Sequence, residues 1–315
     1  MIPYTRHTIT PEDEAAVLRA LRSGYLTRGP ETEAFEAELA AVAQCRHAVV
    51  VNSGTFALMA VGGFVTKPVL TVPAISFMAT ASAFGKRVRF VDIASTGLAV
   101  ADITVTLGGR PRAGTIVDAC HGPIKHLGSV ATVLSFHPAK HVACGEGGAV
   151  LTNLDTLASF VRLFRHHGRN PEGRMVTFGT NGHLSEMQAA LGRSQLARYA
   201  EGVARRQAIA ARYDAAFAGK VETIAHGPES ARHLYQVRVP NGQAFTDRLA
   251  THQIRTQTHY HPIPLEPYYR ERFGYAPGDF PEAERWAREV VTLPLFPSMT
   301  DTEITTIIEA VHDAT

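Results

Sequence analysis

Residues 133–153 read VLSFHPAKHVACGEGGAVLTN. The apolar residues at either end of this stretch read as two buried strands, and Lys140 falls between them. An ammonium group loses most of its hydration in such a place, so a lysine there needs a reason. Desolvation lowers its pKa and makes the neutral amine able to attack a carbonyl and form an imine. A surface lysine on the turn is the plainer reading, and these residues alone favour it.

Working outward, GTIVDACHG (114–122) is a short apolar strand that ends in Asp118, 22 residues before Lys140. A carboxylate there lies at the carboxyl end of a parallel strand, where open α/β sheets place their ligands; a loop cap is an equal alternative. His121 follows, and a lone histidine is more often structural. Ser135 and His137 stand with Lys140 where the strand 132–136 ends. Further upstream, HAVVVNSGTFALMAVGGF (47–64) is a buried β-branched strand, a Ser-Gly-Thr turn and a helical run. Amides at a glycine turn that opens a helix make an anion site, with Ser53 and Thr55 adding hydroxyls, although such a turn is more often an ordinary cap.

The same strand-and-helix alternation runs through KPVLTVPAISF, RVRFVDI and ITVTL. It predicts a mostly parallel sheet covered by helices on both faces, an α/β fold. Residues 1–30 read as an extended arm with one short helix, capped by Thr10 and opened by Pro11. GPETEAFEAELAAVAQC (29–45) reads as an amphipathic helix with Phe35, Leu39 and Val42 on one side. A large domain is expected over 31–200 and a smaller α+β domain over 201–315. A long helix near 184–216 joins them, and a last helix lies near Asp301–Ala314.

Of the 315 residues, 45% are hydrophobic and 19% charged, with a formal net charge of +2. That balance, without a basic stripe, argues against nucleic-acid binding. No apolar stretch approaches the ~20 residues of a membrane span. Cys45, Cys120 and Cys144 make no zinc spacing and read as reduced thiols of a cytoplasmic protein. His121, His126, His137 and His141 raise a metal hydrolase as an alternative, but Pro138 makes a helix presenting His137 and His141 on one face doubtful.

The order of the parts changes the weighing. A phosphate-type turn, a strand-end aspartate and a strand-end lysine, in that sequence, are what a pyridoxal phosphate enzyme needs: donors for the phosphate, a carboxylate for the ring nitrogen, a lysine for the Schiff base. The blocks IPYTRHTI, GYLTRGPETEAFE, VVNSGTFAL, VPAISFMATASA, VDACHG, SFHPAK with GEGGAVLTN, LSEMQAALGRSQL, THYHPIPLEPYY and LPLFPSMTDTEI resemble the DegT/DnrJ/EryC1/StrS family of pyridoxal phosphate-dependent nucleotide-sugar aminotransferases. The resemblance covers nearly the whole chain. It implies fold type I, a homodimer, an amino donor such as L-glutamate and a nucleotide-linked keto sugar as acceptor.

The resemblance also implies roles. Lys140 matches the Schiff-base lysine, Asp118 the pyridinium partner, and His121 the group beside the ring's 3-oxygen. Ser53, Gly54, Thr55 and Ser135 match the phosphate cradle, and Phe77 the aromatic residue stacked on the ring. Asn181 matches an asparagine that reaches the phosphate of the neighbouring subunit, and Thr27, His183, His259 and Tyr260 fall where substrate is met. VDACHG, SFHPAK and FRHHG most resemble enzymes that aminate UDP-4-keto-6-deoxy-N-acetylhexosamines, as in pseudaminic acid synthesis. Related dehydratases carry histidine in place of the lysine, so Lys140 speaks against that activity; a non-catalytic, shortened paralogue is the other alternative.

Three departures stand out. Between Asp92 and Ile116 the family's helices are nearly gone, although ITVTLGGRP keeps a strand and turn, and the helix after the Ser-Gly-Thr turn is short. The sheet loses cover, and bared apolar area costs about 25 cal/mol per Å², so other packing or a partner must compensate. His183 stands where relatives have arginine, which puts anion binding there in doubt. Pro123 and Ile124 replace small residues.

Overall fold

The structure is a computed structural model that describes residues 1–107, 115–227 and 229–315. Strands β1 (His47–Val51), β4 (Ile103–Val105), β5 (Ile116–Asp118), β6 (Ala131–Ser135) and β7 (Gly148–Thr152) form one sheet in the order β1-β7-β6-β5-β4. β4, β5 and β6 are parallel, and β7 runs antiparallel to both of its neighbours. β2 (Leu70–Pro73) and β3 (Val88–Val91) make a separate parallel pair. At the seam between the two sheets, Asp102, just before β4, takes the place of a ladder. Its Oδ2 accepts from the Thr71 amide and hydroxyl, both at 2.8 Å, and its own amide donates back to the Thr71 hydroxyl. The expectation of a mostly parallel α/β sheet holds, with β7 as the exception.

Helices follow local chemistry. α1 (Pro11–Leu21) starts at a capping box in which Thr10 and Asp13 satisfy each other's backbone amides. α2 (Pro30–Ala43) buries Thr32, Phe35, Leu39 and Ala43. Val42 is exposed, against the sequence reading, because it lies just past the edge of the stripe those four residues define. α3 (Gly54–Phe64) is capped by the Ser53 hydroxyl. α4 (Ala79–Ser82) is a single turn, and α5 (Asp155–Phe164) packs beside α3. The stretch expected as one long helix is two, α6 (Glu186–Ala197) and α7 (Tyr199–Phe217), which meet at Arg198. Arg198 is drawn onto Asp13 of α1 by two bonds of 3.1 and 2.8 Å.

The remaining elements are β8 (Glu222–Thr223), β9 (Tyr235–Arg238), α8 (Gly242–Thr251), α9 (Pro267–Phe273), α10 (Pro281–Glu289), β10 (Val290–Leu293) and α11 (Asp301–Ala314). β10, β9 and β8 form a second, antiparallel sheet. Its core gathers Ile209, Tyr213, Phe217, Val237, Leu249, Leu293 and Ile307, with Ile2 of the arm.

Residues 92–102 carry no helix, as the shortened sequence requires. The cover comes from the C-terminal segment of the same chain. Phe90 of β3 meets Tyr269 and Tyr275 edge-on at 5.1 and 5.9 Å. The Asp92 carboxylate accepts from the Glu282 and Ala283 amides at 3.0 and 2.9 Å and so caps α10. Trp286, 1% exposed, joins the same core as Ile103 and Ile116. Gly97 lies so near its ring that a Cβ there would fall 2.5 Å from it. The GGRP turn expected after β4 lies outside the described residues.

Candidate active site

Asp118 ends β5 and is 4% exposed. Its Oδ1 accepts from the Cys120 amide at 3.2 Å and its Oδ2 from the Thr80 hydroxyl at 2.7 Å. Three residues on, His121 is buried and its Nε2 stands at the meeting point of two groups. The Tyr260 hydroxyl lies 2.8 Å away and Lys140 Nζ 3.3 Å away. Burial, then the charge of Lys140, keeps His121 well below the usual imidazole range, so the ring is neutral. With Nε2 accepting from Tyr260, the ring proton sits on Nδ1, a buried donor without a partner among the described residues.

Lys140 sits on the turn after β6, where its amide donates to the His137 carbonyl at 2.8 Å. Burial lowers its pKa, partly opposed by Asp118. Further imidazoles surround it. His233 lies 4.9 Å from His121 and 5.1 Å from His141 between ring centres, and His259 packs on Tyr260 at 4.7 Å. His259 also accepts or donates at Thr292 Oγ1, 2.9 Å away, and burial pushes its pKa down to about 3. Phe77, half exposed, stands 5.9 Å from the Tyr260 ring.

The Ser53-Gly54-Thr55 turn opens α3 beside these groups. A Cβ on Gly54 would lie 3.1 Å from both Cys120 Sγ and Ser135 Cβ, and one on Gly148 would lie 2.5 Å from the Gly54 nitrogen. Glycines at 54 and 148 therefore let the turn, β5, β6 and β7 close together. The result is a helix N-terminus, a strand-end carboxylate, an unpaired imidazole N–H and a desolvated lysine in one place. That donor set fits pyridoxal phosphate: an anion on the turn, a ring nitrogen at Asp118, a ring oxygen at His121 and an aldehyde at Lys140.

Lys140, His121, Tyr260, His259 and Phe77 lie together beside Asp118, and Gly54 of the Ser53–Gly54–Thr55 turn packs against Cys120 and Ser135. No hydrogen bond among the described residues joins Thr27, Asn181 or His183 to Lys140. Thr27 is exposed on the segment before α2. Asn181 is exposed, and its carbonyl accepts from Asn52 at 3.4 Å. His183 Nε2 lies 3.0 Å from His166 Nδ1, and burial, then Arg165, His166 and Arg28, push its pKa down to about 4. It is a neutral ring in a cationic setting. Sequence reasoning missed Thr80, His233 and Tyr4, whose hydroxyl is 3.4 Å from His259 Nε2. Of these, only Thr80 carried a signal, three residues after Phe77.

Comparison with known proteins agrees with this geometry. The DegT/DnrJ/EryC1/StrS aminotransferase family profile matches residues 7–117 and 112–312. The chain is 34% identical over 350 residues to dTDP-3-amino-3,4,6-trideoxy-alpha-D-glucose transaminase of Streptomyces venezuelae, covering 96% of this chain and 92% of that one. Helicobacter pylori PseC, an aminotransferase involved in the biosynthesis of pseudoaminic acid, superposes with a TM-score of 0.92 at 26% identity, covering 99% and 98% of the two chains. The PMP form of a putative sugar aminotransferase, Spr1654 from Streptococcus pneumoniae, gives 0.91 at 25% identity, covering 99% and 97%. The chain belongs to the DegT/DnrJ/EryC1/StrS aminotransferase family and is a pyridoxal phosphate-dependent aminotransferase.

Proposed function

We propose that the protein transfers the amino group of L-glutamate to the C4 keto group of a nucleotide-linked deoxy sugar. The products are 2-oxoglutarate and the 4-amino sugar. The observation that carries this reading is the meeting of Lys140, His121 and Tyr260 at one nitrogen beside Asp118. Pyridoxal phosphate, when bound, supplies the electron sink and carries the amino group between the two substrates. Lys140 would hold it covalently, and burial, which lowers the pKa of its Nζ, favours the neutral amine that can act as a base. It takes the proton from the α-carbon of the donor in the first half-reaction. In the second it delivers a proton to the former carbonyl carbon of the sugar. Asp118 would hold the ring nitrogen and His121 the ring oxygen.

The donor reading draws support from a cavity of about 350 Å³ that Lys140 shares with Arg6, Arg198, Arg205 and Arg206. Arg198 is paired with Asp13, Arg6 with Glu303 and Arg205, more loosely at 3.8 Å, with Asp301. Buried Arg206 has no carboxylate partner among the described residues, and its guanidinium donates to the carbonyls of His233 and Leu295. A dicarboxylate suits such a wall. The acceptor reading rests on relatives named for amino sugars and on VDACHG, SFHPAK and FRHHG.

The same reading makes the active unit a homodimer. Thr27 and Asn181 are exposed, and no hydrogen bond among the described residues joins them or His183 to Lys140; in a homodimer a second copy would meet them with its own cofactor and substrate. No helix among the described residues is long and apolar enough to cross a membrane. The three cysteines are free thiols, in keeping with a cytoplasmic enzyme. Incubation with UDP-4-keto-6-deoxy-N-acetylhexosamine and L-glutamate, followed by mass spectrometry, tests the proposal. It predicts equal amounts of the 4-amino sugar and 2-oxoglutarate. Oxoacid formation with other keto sugars only would move the acceptor, and no oxoacid at all would refute the donor.

A further inference from the structure

The bonds behind Asp118 run in one direction. Asp118 Oδ2 faces the Thr80 hydroxyl at 2.7 Å, and the Thr80 hydroxyl faces that of Ser76. Ser76, Thr80 and Asp118 are 1%, 0% and 4% exposed, so the chain is closed to bulk water. A hydroxyl has one proton to give, and an ionised carboxylate only accepts. Thr80 therefore donates to Asp118, and Ser76 donates to Thr80. The Cys120 amide satisfies the other carboxylate oxygen.

We infer that Ser76 and Thr80 are positioning residues for the cofactor ring: they hold the Asp118 carboxylate aimed at the pyridine nitrogen. This rests on the reading of Asp118 as the partner of that nitrogen. A buried acceptor that loses its donor is left with the full desolvation penalty, so each hydroxyl fixes where the carboxylate points. The placement gives the device a second consequence. Phe77, the residue offered to the ring face, stands between Ser76 and Thr80. One segment, residues 75–82, thus carries the face of the ring site and the support of its edge. Ser76 and Thr80 act on the cofactor only through Asp118.

Titration of the apoprotein with pyridoxal phosphate, and with an analogue that has carbon in place of the ring nitrogen, tests the inference. Thr80→Val should weaken pyridoxal phosphate binding about tenfold, the effect of one hydrogen bond to a charged group, and leave the carbon analogue unchanged. Thr80→Ser should restore the preference. Ser76→Ala keeps the Thr80 hydroxyl but frees its orientation, so it should show the same selective loss at about threefold; this variant serves should Thr80→Val fail to fold. Equal weakening for both ligands, or no weakening for either, would overturn the inference. The Asp118→Asn variant separates the two levels. If it keeps the wild-type preference for pyridoxal phosphate over the carbon analogue, the reading of Asp118 itself is wrong.

Discussion

Asp102→Ala should loosen the join between the two sheets of the larger core. Asp102 accepts two hydrogen bonds from Thr71 at 2.8 Å, one from the amide and one from the hydroxyl, and an ion pair from Lys67 at 2.6 Å. A hydrogen bond to a charged group contributes about 1.5–3 kcal/mol net. Because the Asp102 side chain is 22% exposed, the low end applies, and the two Thr71 bonds together give about 3 kcal/mol. The Lys67 pair is on the surface, with the lysine 53% exposed, and adds about 0–1 kcal/mol. At roughly 2 °C per kcal/mol for a chain of this size, Asp102→Ala should lower Tm by about 6 °C and Lys67→Ala by about 2 °C at most. Burial alone would raise the Asp102 carboxyl; the bonds from Lys67 and Thr71 outweigh it and hold the pKa below the usual value. The stabilisation is therefore present above the pKa of the unfolded carboxyl and is lost as pH falls through the lower folded value. Differential scanning calorimetry at pH 7 and in acid reads both effects. Equal Tm shifts for the two variants would show that the Thr71 bonds do not join the sheets.

Three further outcomes follow from the same geometry. Glu186, 1% exposed, accepts from the Gly29, Glu31 and Thr32 amides and from the Thr32 hydroxyl, so Glu186→Ala should cost about 4 kcal/mol in urea unfolding, with Glu186→Gln recovering part of it. Gly148→Ala puts a methyl group 2.5 Å from the Gly54 nitrogen; overpacking of this kind costs about 1–3 kcal/mol, and apoprotein titration should show weakened cofactor binding because the phosphate turn is the part displaced. His259, held at about 3, leaves the unfolded chain the better proton acceptor below its pKa of about 6.5, so stability should fall with pH, by about 2 kcal/mol from this residue between pH 6.5 and 5; His259→Gln should flatten that limb of the urea midpoint profile.

Much of the fold was legible because its signals are local. The Thr10 cap, the strand ending at Asp118 and the last helix are each set by neighbours in sequence, and Asp118 and Lys140 could be paired through the order of motifs. What was not legible depends on contacts across the chain. Thr80 meets Asp118 across 38 residues, Tyr260 meets His121 across 139, and Tyr4 meets His259 across 255. The replacement for the missing helices was hidden for the same reason. Phe90, Asp92 and Gly97 show no local sign that Tyr269, α10 and Trp286 will cover them. Val42 fell outside the buried stripe because seven residues do not complete two whole helical turns. His183 was read as a departure from relatives, and its partner His166, 17 residues away, could not be named from the sequence.

The central claim is that Lys140, among the lysines of this chain, holds the cofactor. Borohydride reduction of the enzyme loaded with pyridoxal phosphate, followed by peptide mass mapping, tests it directly. The account predicts one phosphopyridoxyl group, on the peptide that contains Lys140. A group fixed on Lys125 or another lysine, or bound cofactor that reduction leaves unattached, would contradict it.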